Sequence, residues 1–223
     1  MFIEVWSDIV CPFCYIGKRN LESAIKEFSE PVQIVWRSFE LDPDAAKVSA
    51  VDLPTRLAQK YGQTIEWAKE KNQEVTSRAS SVGLTFHLDK VIPTNSFDAH
   101  RLIHLAESKG LQNAMKERLL LAYFTEGKDI SDHNTLSALA HELGIETSAV
   151  DDMLKSDKYS EDVRNDERLA RDLEISGVPF FVVNQRFAIS GAQPKEYFLE
   201  ALQSVKARLA EDEETNPSGQ GKA

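Results

Sequence analysis

Asp8-Ile9-Val10-Cys11-Pro12-Phe13-Cys14-Tyr15-Ile16-Gly17 is the stretch whose reading decides the fold of this chain. Upstream of it, residues 2–6 alternate and are rich in β-formers, which predicts a short strand. Downstream, Phe13, Ile16, Leu21, Ala24, Ile25 and Phe28 recur close to helical spacing. Pro12 suits the first turn of that helix, where its missing N–H costs nothing. Residues 32–36 read as a second strand, with Val32, Ile34 and Trp36 on one face. The chain therefore begins strand, helix, strand, and the two cysteines lie where the first strand meets the helix.

Working outward, Asp42-Pro43-Asp44 marks a turn, and a long helical block follows. Asp52 caps one helix, with Pro54 in its first turn. Ile65, Ala68, Val75, Ala79 and Val82 stripe the next, which ends at Gly83, and residues 84–88 are short and extended. Asn95 or Ser96 caps a helix running to Gly110, and further helices are expected over 113–125, 134–143, 148–154 and 160–174. The β pattern then returns: Phe180–Val183 and Phe187–Ser190 flank a tight hairpin at Asn184-Gln185-Arg186. Pro194 opens a last helix striped by Phe198, Ala201, Leu202, Val205 and Leu209. The order is β-α-β, helices, β-β-α. Neither β-containing piece is large enough to fold alone, so they must join into one α/β unit with a four-stranded sheet. The helices between them form an insertion. The expected division is 1–48 and 166–210 for the sheet-containing domain, 49–165 for the all-helical insertion, and 211–223 for a disordered acidic tail.

Composition narrows the function. The 223 residues are 42% hydrophobic, enough for a packed core, and carry a net charge of −10 from 26 basic and 36 acidic residues. An acidic chain without a dense Lys/Arg cluster is a poor candidate for nucleic acid or an anionic membrane surface. No apolar run approaches the ~20 residues that span a bilayer. The start, Met1-Phe2-Ile3-Glu4, lacks the pattern of a secretory signal, so the expected location is cytoplasmic.

The chain has only two cysteines, Cys11 and Cys14. Disulfide exchange needs one thiolate to attack and a second thiol to resolve the mixed disulfide. Two intervening residues place both sulfurs on one helical turn. The helix N-terminus favours negative charge there. Cys11 is thus expected to be an exposed nucleophile of lowered pKa, and Cys14 the buried resolving thiol. Pro12 fixes the turn, and Phe13 offers neither charge nor hydrogen bond. The pKa should therefore be lowered less than the roughly 3.5 of the strongest oxidant of this type. Two plain readings of Cys-x2-Cys compete: zinc, with His100 and His104 as further ligands, whose separation from Cys14 far exceeds the dozen or so residues of a zinc finger, and a buried, inert pair, disfavoured because a strand-to-helix corner is usually exposed. No metal is expected. Gly177-Val178-Pro179 follows a helix and precedes a strand. A cis bond at Pro179 would present the Val178 backbone to an extended substrate, while a trans helix-stop proline is the plain alternative.

Residues 8–17 resemble the active-site run of the DsbA-like thioredoxin-fold oxidoreductases, in particular the FrnE-like branch, which usually has Trp where Phe13 stands. Asn95-Ser96-Phe97-Asp98-Ala99-His100-Arg101 is similar to a second signature of that family, and Ser176-Gly177-Val178-Pro179-Phe180-Phe181 to its cis-proline loop. The resemblance spans about residues 2 to 209. It implies a thioredoxin fold with a helical insertion, dithiol–disulfide exchange at Cys11 and Cys14, and a cis bond before Pro179. Relatives of this branch include glutathione-dependent 2-hydroxychromene-2-carboxylate isomerases and kappa-class glutathione transferases. These generally carry Ser at the position of Cys11, so the two cysteines favour redox chemistry.

The expected function is thus a disulfide oxidoreductase or isomerase-type enzyme acting on protein or small-molecule thiols and disulfides. It would hold no bound cofactor, with glutathione as a candidate co-substrate, and would be a monomer or homodimer. A glutathione-dependent isomerase or transferase and a chaperone-like binding module are the alternatives. Asp8 is weighed as a proton relay to the dithiol and as an N-terminal helix cap, and the cap is favoured. Glu4 and Trp6 share a strand face, with Trp6 expected to pack in the core. His100 and His104 are expected at the surface, His100 with a weak claim to substrate contact. His133 is placed in a loop near a helix start and given no chemistry.

Overall fold

The computed structural model describes residues 1–47 and 49–215. In chain order the elements are β1 (Phe2–Ser7), α1 (Pro12–Glu27), β2 (Gln33–Ser38), α2 (Leu53–Tyr61), α3 (Ile65–Ser81), α4 (Phe97–Glu107), α5 (Gln112–Phe124), α6 (His133–Glu142), α7 (Thr147–Leu154), α8 (Ser160–Asp172), β3 (Phe180–Val183), β4 (Phe187–Ser190) and α9 (Lys195–Thr215). The four strands form one mixed sheet in the order β2-β1-β3-β4, with β1 parallel to β2 and antiparallel to β3. This is a thioredoxin fold with a helical insertion, as expected from the sequence.

Strand alternation sorts the sheet into two faces. Ile3, Val5, Phe181, Val183 and Ile189 join the main core beneath α1 and α9, where the Phe181 and Phe198 rings meet edge-on at 4.8 Å. Trp6, Phe180 and Val182 point the other way and pack with Ala170 and Ile175, in and just after α8. Helix α8 therefore covers the second face and runs through the expected domain boundary between 165 and 166. Helix α9 continues past residue 210, so the first residues of the expected tail are helical; 216–223 lie outside the described residues.

The helical block is bound to the sheet at an edge. β2 has a neighbour on one side only, and the side-chain amide of Gln112 takes the place of a missing strand. It accepts from Trp36 N at 2.9 Å and donates to Trp36 O at 3.0 Å. The ring of Tyr15 stacks at 5.9 Å on Phe86, which stacks at 4.7 Å on Phe124, so α1 shares its core with the block. Tyr15 also donates to Glu117 on α5 at 2.6 Å.

The hairpin loop Asn184-Gln185-Arg186 forms as expected, with Asn184 and Gln185 at positive φ. Gly17 is required by close approach. A Cβ there would meet Pro179 Cγ at 3.0 Å and Phe181 Cζ at 3.3 Å, so a bare backbone lets α1 lie against the Pro179 loop. Gly17→Val is expected to lower stability by about 2 kcal/mol through overpacking. Urea denaturation measures it, and an unchanged midpoint would mean that the loop yields without cost.

Candidate active site

Cys11 is the N-cap residue of α1 and Pro12 its first helical residue. The first turn holds no acidic residue and no side chain caps it, so nothing competes with the sulfurs for the helix terminus. Cys14 N–H donates to Cys11 O at 3.1 Å, which places both cysteines on the same turn. They are unbridged. Across from them, the Val178–Pro179 bond is cis, and Val178 O lies 3.7 Å from Cys11 Sγ. The Cys-x2-Cys turn and the proline loop, remote in sequence, thus form one corner.

Two expectations for Cys11 are corrected. The residue is buried, at 3% exposure, rather than exposed, because the helical block closes over the strand-to-helix corner. Its thiol is also pushed up, not down. A hydrogen bond with Cys14, burial, and the charge of an ionised Cys14 all disfavour a thiolate at Cys11, and outweigh the backbone N–H of Cys14 that works the other way.

Asp8 is fully buried and is not the cap of α1, since Cys11 holds that position. Its carboxylate accepts from Val10 N at 3.3 Å, Leu41 N at 2.8 Å and His100 Nε2 at 3.3 Å, with Ser96 as a further donor. Burial pushes this carboxyl up. The His100 hydrogen bond and its other donors outweigh burial and hold it below the usual range. Burial pulls His100 down. The pair is therefore an ionised carboxylate and a neutral imidazole donating from Nε2.

His100 and His104, expected at the surface, are buried, because α4 packs against α5, α7 and α8 rather than facing solvent. His100 faces Asp8, so its expected contact with substrate is replaced by one with the protein. His104 Nε2 lies 3.1 Å from Ser38 Oγ and 3.2 Å from Asp166 Oδ2. Trp6 is buried as expected, donating from Nε1 to Asp166 O. His133 begins α6 instead of lying in a loop, and its Nε2 sits 3.1 Å from Asp98.

The sequence reading missed Lys116. Its ammonium is 1% exposed, donates to Ser7 O at 3.1 Å and lies 5.6 Å from the Trp36 ring centroid. Burial brings its pKa down from 10.5 to about 8, against the pull of Cys14, Asp8 and Cys11. The signal was present: Gln112, Lys116, Leu119, Leu120 and Tyr123 recur at helical spacing, which puts a lysine on the buried stripe of α5.

Cys11, Pro12 and Phe13 also line a cavity of about 480 Å³, whose other walls come from α2, α3, residues 88–96 and the end of α5. Among the described residues no group of three or more His, Cys, Asp or Glu is placed to hold a metal ion, and no helix is long and apolar enough to cross a membrane.

Lys116 yields a prediction with a definite sign. The unfolded chain keeps the lysine charge to about pH 10.4, whereas the folded chain releases it near 8. Below 8 the burial penalty is fully present. Between 8 and 10 the unfolded state binds the extra proton, so this group adds stability as pH rises. Lys116→Met should therefore stabilise the reduced protein by about 3 kcal/mol at pH 7, an upper figure at ~1.4 kcal/mol per pKa unit, with the gain fading by pH 10. Urea denaturation at the two pH values checks it, and a gain independent of pH would contradict the assignment.

Residues 2–203 match the DSBA-like thioredoxin domain family. A probable DsbA oxidoreductase from Streptomyces coelicolor is 36% identical, with a TM-score of 0.88 over 93% of this chain and 90% of that one. The uncharacterized protein YwbO of Bacillus subtilis (strain 168) is 29% identical over 203 residues, 90% of this chain and 94% of the relative. The cytosolic disulfide reductase DsbM from Pseudomonas aeruginosa, at 19% identity and a TM-score of 0.66 over 94% of this chain and 100% of that one, shares the fold. The chain belongs to the DsbA-like thioredoxin domain family.

Proposed function

We propose that this protein is a cytoplasmic thiol–disulfide oxidoreductase in which Cys11 attacks and Cys14 resolves. The observation that carries the reading is the corner itself, with two free thiols on the first turn of α1 and Cys11 Sγ set 3.7 Å from Val178 O. The Streptomyces relative supports the reaction class. The Cys11 thiolate attacks one sulfur of a substrate disulfide, forming a mixed disulfide and expelling the other sulfur as a thiolate. The Cys14 thiolate then attacks Cys11 Sγ, closes the Cys11–Cys14 bond and releases the second substrate thiolate. Two electrons pass to the substrate, and a low-molecular-weight thiol such as glutathione, run through the same steps in reverse, restores the dithiol. The backbone of Val178 beside Gly177 and Pro179 borders the mixed disulfide. Pro12 and Phe13 set the turn between the sulfurs.

Lys116 tunes this pair. Its positive charge favours the thiolate of the reduced form and has no such partner in the disulfide. Lys116→Met should therefore make the pair more reducing by about 30 mV, a tenfold change in equilibrium for a two-electron couple. The difference should shrink above pH 8, where Lys116 loses its charge. Asp8, Lys18 and His100 are the other charged or titratable neighbours, and all three remain in the variant.

Equilibration of the reduced protein with oxidised glutathione tests the reaction and gives the potential. Cys11→Ser should abolish exchange, and Cys14→Ser should accumulate a mixed disulfide visible by mass spectrometry. Exchange that survives Cys11→Ser would rule out the proposed chemistry.

A further inference from the structure

We infer that the cavity beside Cys11 is a binding site for a low-molecular-weight disulfide or thiol with an apolar body and a carboxylate, the carboxylate held by Lys60 and Arg78. This rests on the oxidoreductase reading above and names the substrate class of the same site. Three observations carry it.

The first is size and access. The cavity, about 480 Å³, lies within the ~300–1,000 Å³ range of small-molecule sites. Cys11 is 3% exposed and lines it. A sulfur so enclosed meets a partner that enters the cavity, and a protein disulfide brings two flanking chains to each sulfur.

The second is lining. Leu53, Leu57, Trp67, Val75, Leu88 and Val91 give most of the wall an apolar character. Such a wall favours an aromatic or branched aliphatic body over a polar tripeptide.

The third is charge. Four cations and two carboxylates line the cavity of a chain whose net charge is −10. Arg56 pairs with Asp42 at 2.6 Å and Lys71 with Glu74 at 2.9 Å. Lys60 and Arg78 have no ion-pair partner among the described residues. Each lies instead near an aromatic ring, Lys60 at 6.0 Å from the Tyr61 centroid and Arg78 at 5.5 Å from that of Phe13. Phe13 stands between the two cysteines, so Arg78 shares a cavity wall with the dithiol turn. An anion is the complement these two cations lack.

The covalent step is the one already given. Cys11 forms the mixed disulfide and expels one substrate thiolate, and Cys14 closes the protein disulfide and expels the other. Two electrons leave the dithiol, and its two protons go to solvent.

The test uses the full-length reduced protein, freed of excess reductant, in single turnovers against two aromatic disulfides. Dithiobis(nitrobenzoate) carries carboxylates, and dithiodipyridine carries none. The ratio of their second-order rate constants cancels any change in Cys11 reactivity. In Lys60→Gln/Arg78→Gln the ratio should fall about tenfold or more, the scale of one lost charge-assisted contact. The loss should appear as weaker saturation by the anionic probe rather than a slower maximal rate. Leu57→Trp, which narrows the cavity and keeps every charge, should slow both probes and leave the potential of the pair unchanged. An unchanged ratio in the double variant, or no effect of Leu57→Trp, overturns the proposed site. Reaction of either probe with Cys11→Ser would instead overturn the oxidoreductase reading.

Discussion

The fully buried carboxylate of Asp8 is the constraint on which the rest of the site depends. An ion taken out of water costs several kcal/mol unless its lone pairs are filled, and here four donors from separate parts of the chain fill them. Val10 N fixes the turn that leads into Cys11, Leu41 N holds the segment leaving β2, and Ser96 and His100 bring the start of α4. One side chain thus ties the strand-to-helix corner to the helical block. The position of Cys11 against Val178 follows from where this anchor sets the end of β1.

Charge near the dithiol is then a matter of balance. Asp8 opposes a thiolate at Cys11, and Cys14 competes for the same charge. The helix terminus and Lys116 oppose both. A lysine buried without a carboxylate partner costs stability, and a hydrophobic side chain of its size would fill the site at less cost. On the proposed reaction, its charge answers the thiolate of the reduced pair, and the redox state and the stability of the fold are coupled through that side chain.

Much of the fold was legible because it depends on short-range pattern. Period-two alternation in β1, the aromatic and β-branched run of β3, helical stripes in α3 and α9, Asp52 before Leu53-Pro54, and the Asn184-Gln185 turn are local signals with local causes. Cys11-Pro12-Phe13-Cys14 pointed to the chemistry now proposed because two sulfurs on one helical turn suit disulfide exchange, with zinc as the rival use of the pair. What stayed hidden depends on packing between distant segments. His100 looked like a surface residue because a histidine on a helix carries no sign of what faces it, and the partner, Asp8, lies over ninety positions away. Cys11 looked exposed because the helix start was visible in the sequence and the block that covers it was not. Lys116 could have been read from its stripe, but a lone lysine on an apolar stripe is ordinarily a side chain that snorkels outward.

Phe13 shows how those two kinds of information combine. From sequence, its importance lay in what it lacks, since a side chain without charge or hydrogen bond leaves the thiolate unsupported. In the folded protein its ring carries Arg78 from α3, in the helical block, and forms part of the cavity wall. The residue between the cysteines therefore holds a cation at the cavity wall by cation–π contact, instead of supplying one itself. A positive charge held this way can turn to an entering anion without breaking an ion pair, because the ring gives up little when the guanidinium swings. On the proposed reading, substrate recognition then meets the dithiol turn at one aromatic ring, and the helical block lines the site as well as covering it.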